Sequence, residues 1–459
     1  MIANRGEIAM RILRCCQEME IETVAAYSEE DRDSLLLQFA TESVCIGPAD
    51  PAISYLNENA IIAAAKAYKC DAIHPGYGFL SENADFAEKC EAEGIVFIGP
   101  SSDMIRKMGD KQSARALMKK NDVPLVPGSD GILSGWHDAA AAAEKTGYPV
   151  LIKASAGGGG RGMRIANSAS DIKHAFEEAQ AEAVSAFGNG NMYLEKLILH
   201  PHHVEVQILG DSKGHIIHLG ERDCSMQRRN QKMLEESPAY ILTERQREGI
   251  RRAAIKAAKA VHYVSAGTVE FVIDTSGKYY FIEMNTRVQV EHPVTEMVTG
   301  VDIIKEQIRI AAGLPLSIKQ NDVHLNGHAI ECRINAEDVE HGFAPCPGKI
   351  DFLHFPCGNG VRVESALYNG ARISPYYDSM IAKIIVKADT RLAAIRKMRV
   401  ALEELTIEGV KSNADFLYLL MFNEEFVTGK IDTGFLSENA DAIVRWANDS
   451  KYMKKSGKK

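Results

Sequence analysis

Glu270, Glu283 and Glu291, with Asn285, Arg287 and Gln289, lie within one stretch of 22 residues, Glu-Phe-Val-Ile-Asp-Thr-Ser-Gly-Lys-Tyr-Tyr-Phe-Ile-Glu-Met-Asn-Thr-Arg-Val-Gln-Val-Glu. From Glu283 onward the polar residues fall on alternate positions: Glu283, Asn285, Arg287, Gln289, Glu291. Alternate side chains of an extended chain share a face. The pattern therefore predicts these five on one side of a strand and Met284, Thr286, Val288 and Val290 on the other. Carboxylate and amide oxygens are the ligands Mg²⁺ takes, beside phosphate oxygens. Glu270, Glu283 and Asn285 read as a metal platform, Arg287 as an oxyanion partner, and Glu291 as a base beyond the metal. A solvated strand face would show the same alternation. The apolar neighbouring strands, the mixture of acid, amide and guanidinium, and the extra carboxylate at Glu270 favour a site.

The elements that must position these groups are legible nearby. Thr268 to Ile273 is β-branched and aromatic, Asp274, Ser276 and Gly277 supply turn chemistry, and Tyr279 to Met284 is a second strand. The signature is a hairpin whose pairing brings Glu270 near Glu283. Pro149 to Lys153 is a strand ending in a lysine, followed by the glycines 157–160 and a further strand from Met163 to Ala166. Consecutive glycines let backbone N–H groups wrap an anion. No Gly-Lys-Ser/Thr follows and no helix follows, so the loop is neither a P-loop nor a dinucleotide fingerprint. It reads as a flap over phosphates, a flexible linker being the alternative. Met192 to Lys196 is a strand ending in Glu195-Lys196, a pair able to read an adenine edge or to sit idle on a surface. Gly109-Asp110-Lys111 opens a helix to about Asn121. His203 to Ile208 alternates as a strand. The polar run Glu221 to Glu236, containing Gln227, Asn230 and Lys232, reads as a solvated loop, with an anion site as the other reading.

Residues 1 to about 100 alternate short buried strands (Thr23–Tyr27, Ser43–Ile46, Ala72–His74, Val96–Ile98) with helices, for example Asn59–Tyr68 and Asn83–Glu93. That alternation predicts a parallel sheet with ligands at the strand C-terminal ends. His74 to Asn83 follows one such end, with Ser81 as a helix cap. Gly300 to Ala312 reads as a helix, Gly327 to Asn335 as a strand carrying Glu331 and Arg333, the chain to Val386 as β-rich, and Arg391 to Glu404 as a helix.

The totals bound the class. A chain of 459 residues is long enough for two to four domains. The 46% hydrophobic and 25% charged fractions are ordinary for a globular protein. A net charge of −9 argues against a general nucleic-acid binder. No apolar run approaches the ~18 residues of a membrane span. There is no signal-peptide pattern. The nine cysteines are scattered without a CxxC pair, which fits reduced thiols and a cytoplasmic location.

Lys153 with its glycine loop, Glu195-Lys196 and the Glu270/Glu283/Asn285 platform resemble the ATP-grasp superfamily. Five longer stretches narrow the resemblance: His74 to Asn83, Arg222 to Arg229, Glu283 to Thr295, Glu331-Cys332-Arg333-Ile334-Asn335-Ala336-Glu337, and Tyr376-Tyr377-Asp378-Ser379-Met380. Together they look like biotin carboxylase, from Ile2 to about Leu436. The resemblance implies an α/β protein of three domains. These are an N-terminal Rossmann-like (pre-ATP-grasp) domain at 1–108, an ATP-grasp domain at 109–325 with a mobile lid at about 127–198, and a C-terminal β-rich α+β domain at 326–440. A basic tail at 441–459 follows.

The resemblance also implies ATP-dependent carboxylation of biotin by bicarbonate through carboxyphosphate. Glu270, Glu283 and Asn285 would hold Mg²⁺ or Mn²⁺, two ions in all. Lys111, Lys153, Gly158, Gly159, Gly160, Glu195, Lys196, His203, Gln227 and Asn230 would hold ATP, beside Glu270 and Glu283. Lys232, Arg287, Gln289, Val290, Glu291 and Arg333 would bind bicarbonate, with Glu291 as the base. Tyr77, Arg333 and Asp378 would meet biotin. Asn230 departs from the histidine that many members carry, and the chain starts a few residues later than is usual. No Ala-Met-Lys-Met biotinylation motif is present. The implied partners are a biotin carboxyl carrier protein, a carboxyltransferase and a second copy of the chain, in an acetyl-CoA carboxylase serving fatty acid synthesis. The rival readings are an excised domain of a propionyl-CoA or pyruvate type carboxylase, another ATP-grasp ligase, and a non-catalytic nucleotide-binding subunit.

Overall fold

Short strands β1 (Val24–Ser28), β2 (Glu42–Gly47), β3 (Ala72–Ile73) and β4 (Val96–Phe97) build a parallel N-terminal layer, β1 pairing with β2 and β3 with β4. The computed structural model describes residues 1–155 and 162–456, with side chains to Trp446. The expected first strand is reduced to Ile2, which bridges His74 and Ala25 in parallel and so joins the two strand pairs. The helix Gly6–Glu18 buries Ile8, Ile12 and Leu13 against this layer, as their helical spacing requires. The expected cap at Ser81 falls two residues later. Asn83 caps the helix Ala84–Ala92, its side chain accepting from the Phe86 N–H at 2.8 Å.

A second unit consists of β5 (Val150–Ala154), β6 (Met163–Ala166) and β7 (Met192–Lys196), an antiparallel sheet with β5 in the middle. The helices Trp136–Thr146 and Ile172–Phe187 cover one face. Ala139 and Ala143, in the alanine run, are fully buried and let the first helix approach closely. Leu133, Val150, Ile152, Phe176 and Leu194 belong to a core separate from the rest of the molecule.

The largest sheet contains β8 (His202–Gly210), β9 (Ile216–Arg228), β10 (Gln231–Ser237), β11 (Ser265–Ile273), β12 (Tyr279–Asn285), β13 (His328–Asn335), β14 (Val361–Ser365) and β15 (Met380–Ala388). Its order is β12-β11-β8-β9-β10-β13-β15-β14. On β8, Val204, Val206 and Ile208 face a core shared with the helix Glu244–Ala260, which leaves His203, Glu205 and Gln207 on the opposite face. β11 divides likewise, with Val269, Phe271 and Ile273 in that core and Thr268 and Glu270 opposite.

Three expectations are corrected here. Glu221 to Glu236 is no solvated loop. It forms most of the β9–β10 hairpin, and Glu221, Arg222, Ser225 and Glu235 are fully buried. Polarity misled because partners on other strands neutralise these charges. The boundary expected at 325/326 falls just before β13, which pairs with β10 on one side and β15 on the other. The tail expected from 441 begins inside the helix Phe435–Ser456, whose apolar Phe435, Leu436 and Ile443 pack into the C-terminal core. Gly300 ends the preceding helix His292–Thr299 at φ 75°, so the next one starts at Ile303, capped by Asp302. Among the described residues no helix is long and apolar enough to cross a membrane.

Candidate active site

A cleft of about 1420 Å³ lies between the N-terminal layer, the β5–β7 unit and the polar face of the large sheet. Every described residue expected above to meet metal, ATP, bicarbonate or biotin lines it, from Lys111 and Lys153 to Arg333 and Asp378. Gly158, Gly159 and Gly160 lie outside the described residues.

The β11–β12 hairpin forms as expected and puts Glu270 directly opposite Glu283. Glu270 is nearly buried. Its Oε1 accepts from Asn285 Nδ2 at 2.7 Å, Gln289 Nε2 at 2.8 Å and Lys232 Nζ at 3.2 Å. Its Oε2 meets His203 Nε2 at 2.8 Å. Burial by itself would raise the Glu270 carboxyl, but Lys232 and His203 outweigh it and hold Glu270 well below the usual range. Burial would likewise lower His203, and Glu270 reverses that. Glu283 is half-exposed, with Lys111 Nζ at 3.8 Å. Burial and the charge of Glu270 push its carboxyl up. Two carboxylates at cross-strand spacing repel unless a cation joins them. The donor set fits a hard dication: two carboxylates, with the Asn285 amide oxygen now accepting from Arg287 Nη2 at 3.1 Å.

The alternation beyond Glu283 does not persist as a strand. β12 ends at Asn285, the chain bends at Thr286-Arg287, and Glu291 takes the position before the helix His292–Thr299. Pro293 in the first turn of that helix suits this change of direction. The five polar side chains still reach one cleft, but from a strand end, a bend and a helix start. Arg287 turns to Glu82, its Nε donating to Glu82 Oε2 at 2.8 Å, and Glu82 also accepts from the Thr286 N–H at 3.0 Å.

Lys232 stands at the centre of a group of three carboxylates. Its Nζ donates to Glu205 Oε2 and Glu291 Oε1, each at 2.6 Å, as well as to Glu270. Arg333 Nη2 donates to the other Glu291 oxygen at 3.0 Å, and its Nε to Glu235 Oε1 at 2.6 Å. Burial would raise the Glu291 carboxyl, but Lys232, Arg333 and Arg222 hold it well below the usual range. The Val290 carbonyl accepts from Lys383 Nζ at 2.7 Å. Beneath this layer Arg222, with no exposure, donates to Glu205, Gln207, Gln289, Thr268 and Thr295.

On the β5–β7 side of the cleft Lys153 Nζ donates to Glu195 Oε2 at 2.5 Å, and Arg115 donates to the other oxygen. Glu195 and Lys196 are therefore not a pair with each other: Lys196 Nζ holds the carbonyls of Gly147 and Tyr148 at 2.9 and 2.6 Å. Lys111 is the first residue of a helix capped by Asp110. Gln227 faces Lys232 across the β9–β10 pair. Asn230 is the second residue of the two-residue turn between those strands, at φ 64° after Arg229 at φ 50°. Asn tolerates that conformation well, which accounts for the residue type without reference to a ligand. Tyr77 donates its hydroxyl to Glu7. Asp378 is exposed at the rim, where it accepts from the Met380 N–H at 2.8 Å.

Sequence reading missed Glu82, Arg115, Glu205, Arg222 and Glu235 as parts of the site. Glu205 had a signal: it alternates with His203 and Gln207 on one strand face. Arg222 lay in the polar run whose second reading was an anion site, but only the pairing of β8 with β9 sets it opposite Glu205.

Three family models match the chain: biotin carboxylase, N-terminal domain, over 1–105; carbamoyl-phosphate synthase L chain, ATP binding domain, over 110–319; and biotin carboxylase C-terminal domain over 331–438. The fold and the middle match define an ATP-grasp enzyme of the ligase class. "Biotin carboxylase 1" of Bacillus subtilis is 55% identical over 437 residues, which span 95% of this chain and 97% of that protein. The "2-oxoglutarate carboxylase small subunit" of Hydrogenobacter thermophilus is 52% identical over 96% of this chain and 93% of its own. Among solved structures, a biotin carboxylase–β-γ-ATP complex from Campylobacter jejuni superposes with a TM-score of 0.93 at 52% identity, covering 95% of this chain and 98% of that one. The biotin carboxylase domain dimer of the Hydrogenobacter thermophilus 2-oxoglutarate carboxylase, in complex with MgADP, ADP and bicarbonate, superposes at 0.91 and 51% identity, covering 96% and 97%. The chain belongs to the biotin carboxylase family.

Proposed function

We propose that this enzyme carboxylates biotin on a biotin carboxyl carrier protein, using ATP and bicarbonate, as the first half-reaction of a biotin-dependent carboxylase. The single observation that carries the reading is Glu291, clamped between Lys232 and Arg333 beside Glu270. As it stands Glu291 is an ionised acceptor and a weak base. An anion that draws Lys232 and Arg333 to itself weakens the two largest of the charges that depress the carboxyl, Arg222 remaining, so bicarbonate raises the basicity of the group that must deprotonate it. The bicarbonate oxygen then attacks the γ-phosphorus, ADP leaves, and carboxyphosphate breaks down to CO₂ and phosphate. The phosphate takes the ureido proton of biotin, and the biotin nitrogen adds to CO₂. Arg333 faces the anionic biotin, with Tyr77 and Asp378 at its side. Arg287, Gln289 and the Val290 backbone complete the bicarbonate pocket. Mg²⁺ or Mn²⁺ held by Glu270, Glu283 and Asn285 would neutralise phosphate charge.

ATP enters against Lys111, Lys153, Glu195, Lys196, His203, Gln227 and Asn230. Residues 127–198 act as a lid over it, a role supported by their separate core. The chain works in the cytoplasm as a homodimer with a carboxyltransferase, in domains divided near 108 and 325. Acetyl-CoA is the acceptor we favour, since the Bacillus subtilis and Campylobacter jejuni relatives are named simply as biotin carboxylases. The 52% identity to a 2-oxoglutarate carboxylase subunit keeps a keto acid as the second reading.

The test is phosphate release with bicarbonate and free biotin varied independently at fixed ATP and Mg²⁺. Biotin should raise the rate with weak affinity, because the carrier's binding energy is missing, and acetyl-CoA should not. Glu291→Gln should lower turnover by about two orders of magnitude or more while ATP still binds. A flat response to biotin with stimulation by an amine overturns the proposal in favour of another ATP-grasp ligase.

A further inference from the structure

Behind Arg333 lies a set of acids that the reaction just described does not use. Glu331 on β13 is directly opposite Glu235 on β10, and neither has any exposure. Arg333 is two residues further along β13, hence on the same face as Glu331. Glu235 spends one oxygen on Arg333, while its Oε2 and both oxygens of Glu331 have no hydrogen-bond partner among the described residues.

The charges facing Glu331 can be taken element by element. β10 supplies Glu235, β13 supplies Arg333, and β15 supplies Lys383, which lies opposite Arg333. The start of the helix His292–Thr299 supplies Glu291. The N-terminal layer supplies Glu7, paired with Lys383 at 3.0 Å, and the Tyr77 hydroxyl bound to Glu7. Four carboxyl groups thus share Arg333 and Lys383, and Lys232 is already divided among Glu205, Glu270 and Glu291. An ionised carboxylate with neither exposure nor a donor is too costly to persist, and such a group keeps its proton instead. Burial raises the Glu331 carboxyl, Lys383 opposes this, and Glu235 adds to it, the outcome lying well above the usual range. Burial likewise raises Glu235, to about 7 against the pull of Arg333.

We propose that Glu331 is a positioning residue for the reaction: with Glu235 it retains one proton at neutral pH, and that proton keeps Arg333 charged and turned toward the anionic reactants. With both acids ionised, Arg333 would face three carboxylates, Glu235, Glu331 and Glu291, and would be drawn back from the cleft. The inference rests on the reading that Arg333 receives bicarbonate and biotin, so its test includes a readout independent of turnover.

The full chain is compared with Glu331→Gln, a neutral mimic of the protonated acid, and Glu331→Leu, which forfeits no hydrogen bond to the described residues because Glu331 makes none with them. Two quantities are followed across about pH 6 to 9: kcat/KM for biotin, and melting temperature. A carboxyl whose folded-state pKa is raised costs stability as pH climbs from its unfolded value to its folded one. Wild type should therefore lose melting temperature and kcat/KM on the alkaline side, and both variants should flatten that loss. At neutral pH the Gln variant should stay within about threefold of wild type, as expected for a group that acts without ionising. An alkaline limb unchanged in either readout overturns the proposal. So does a loss beyond about a hundredfold at neutral pH with an intact fold, or failure of both variants to fold. Absence of biotin-dependent turnover in wild type sinks the carboxylase reading instead, and the melting curves still judge the shared proton.

Discussion

Replacing Arg222 by Met tests the layer on which the site rests. Arg222 donates to Glu205 at 2.5 Å, to Gln207 and Gln289 at 2.8 Å, to Thr295 at 2.9 Å and to Thr268 at 3.2 Å, all without solvent. Met fills much of the volume and removes the charge. Breaking one side of a buried ion pair costs about 3–5 kcal/mol, and each orphaned neutral acceptor adds on the order of 1 kcal/mol before relaxation. Glu205 keeps Lys232 at 2.6 Å, which limits the damage at that carboxylate. A net loss of about 4 kcal/mol is the expectation. With an unfolding entropy of about 2 cal/mol/K per residue over 459 residues, a cooperative melt would fall by about 4 °C. Gln289 also loses one of its two anchors, so kcat/KM for bicarbonate should fall in folded protein as well. Calorimetry of wild type, Arg222→Met, Glu205→Gln and the double variant supplies the assay. The double variant should lose less than the two singles together, because the second change removes the carboxylate that the first orphaned. A melting temperature unchanged in Arg222→Met, or strict additivity in the double variant, would refute the reasoning.

Two further outcomes are expected. Glu236 accepts from His328 at 2.6 Å and from Arg391 at 2.6 and 3.0 Å. Burial would raise it, but His328 and Arg391 hold it at about 2. A depressed carboxyl contributes stability above its unfolded pKa and loses it as pH falls toward the folded one. Glu236→Gln should therefore cost about 3 kcal/mol near neutral pH and progressively less below about pH 4.5. Urea unfolding measures the gap, and one that stays constant down the acid range contradicts the pairing. Glu283→Gln should raise the Mg²⁺ needed for tight ADP binding by at least about tenfold, and superimposable Mg²⁺ titrations of the two proteins would remove Glu283 from the metal site.

Much of the site was legible because its signals are local. The Thr268–Ile273 and Tyr279–Met284 runs with turn residues between them specify a hairpin, and a hairpin sets Glu270 opposite Glu283 wherever it is placed. Lys153 at the end of its strand, Asp110 before Lys111, and the helix Arg391–Glu404 follow from the same short-range rules. The alternation from Glu283 held only to Asn285, because strand periodicity says nothing about where a chain leaves its sheet. Glu221 to Glu236 was misread for a different reason. A run of charges is polar whether water or a partner neutralises it, and here the partners are distant in sequence: Glu205 lies 17 residues from Arg222, and Glu235 lies 98 from Arg333. Sequence by itself determined which ionisable groups exist and which strands or helices present them. Only the tertiary structure decided which charges pair, and therefore that Lys232, Arg333 and Arg222 hold the Glu291 carboxyl low while Glu331, equally acidic in composition, has no hydrogen-bond partner among the described residues. Covalent chemistry is the same in the two glutamates. Burial and the sign of the neighbouring charge, which depend on strand order, push the Glu291 carboxyl down and the Glu331 carboxyl up.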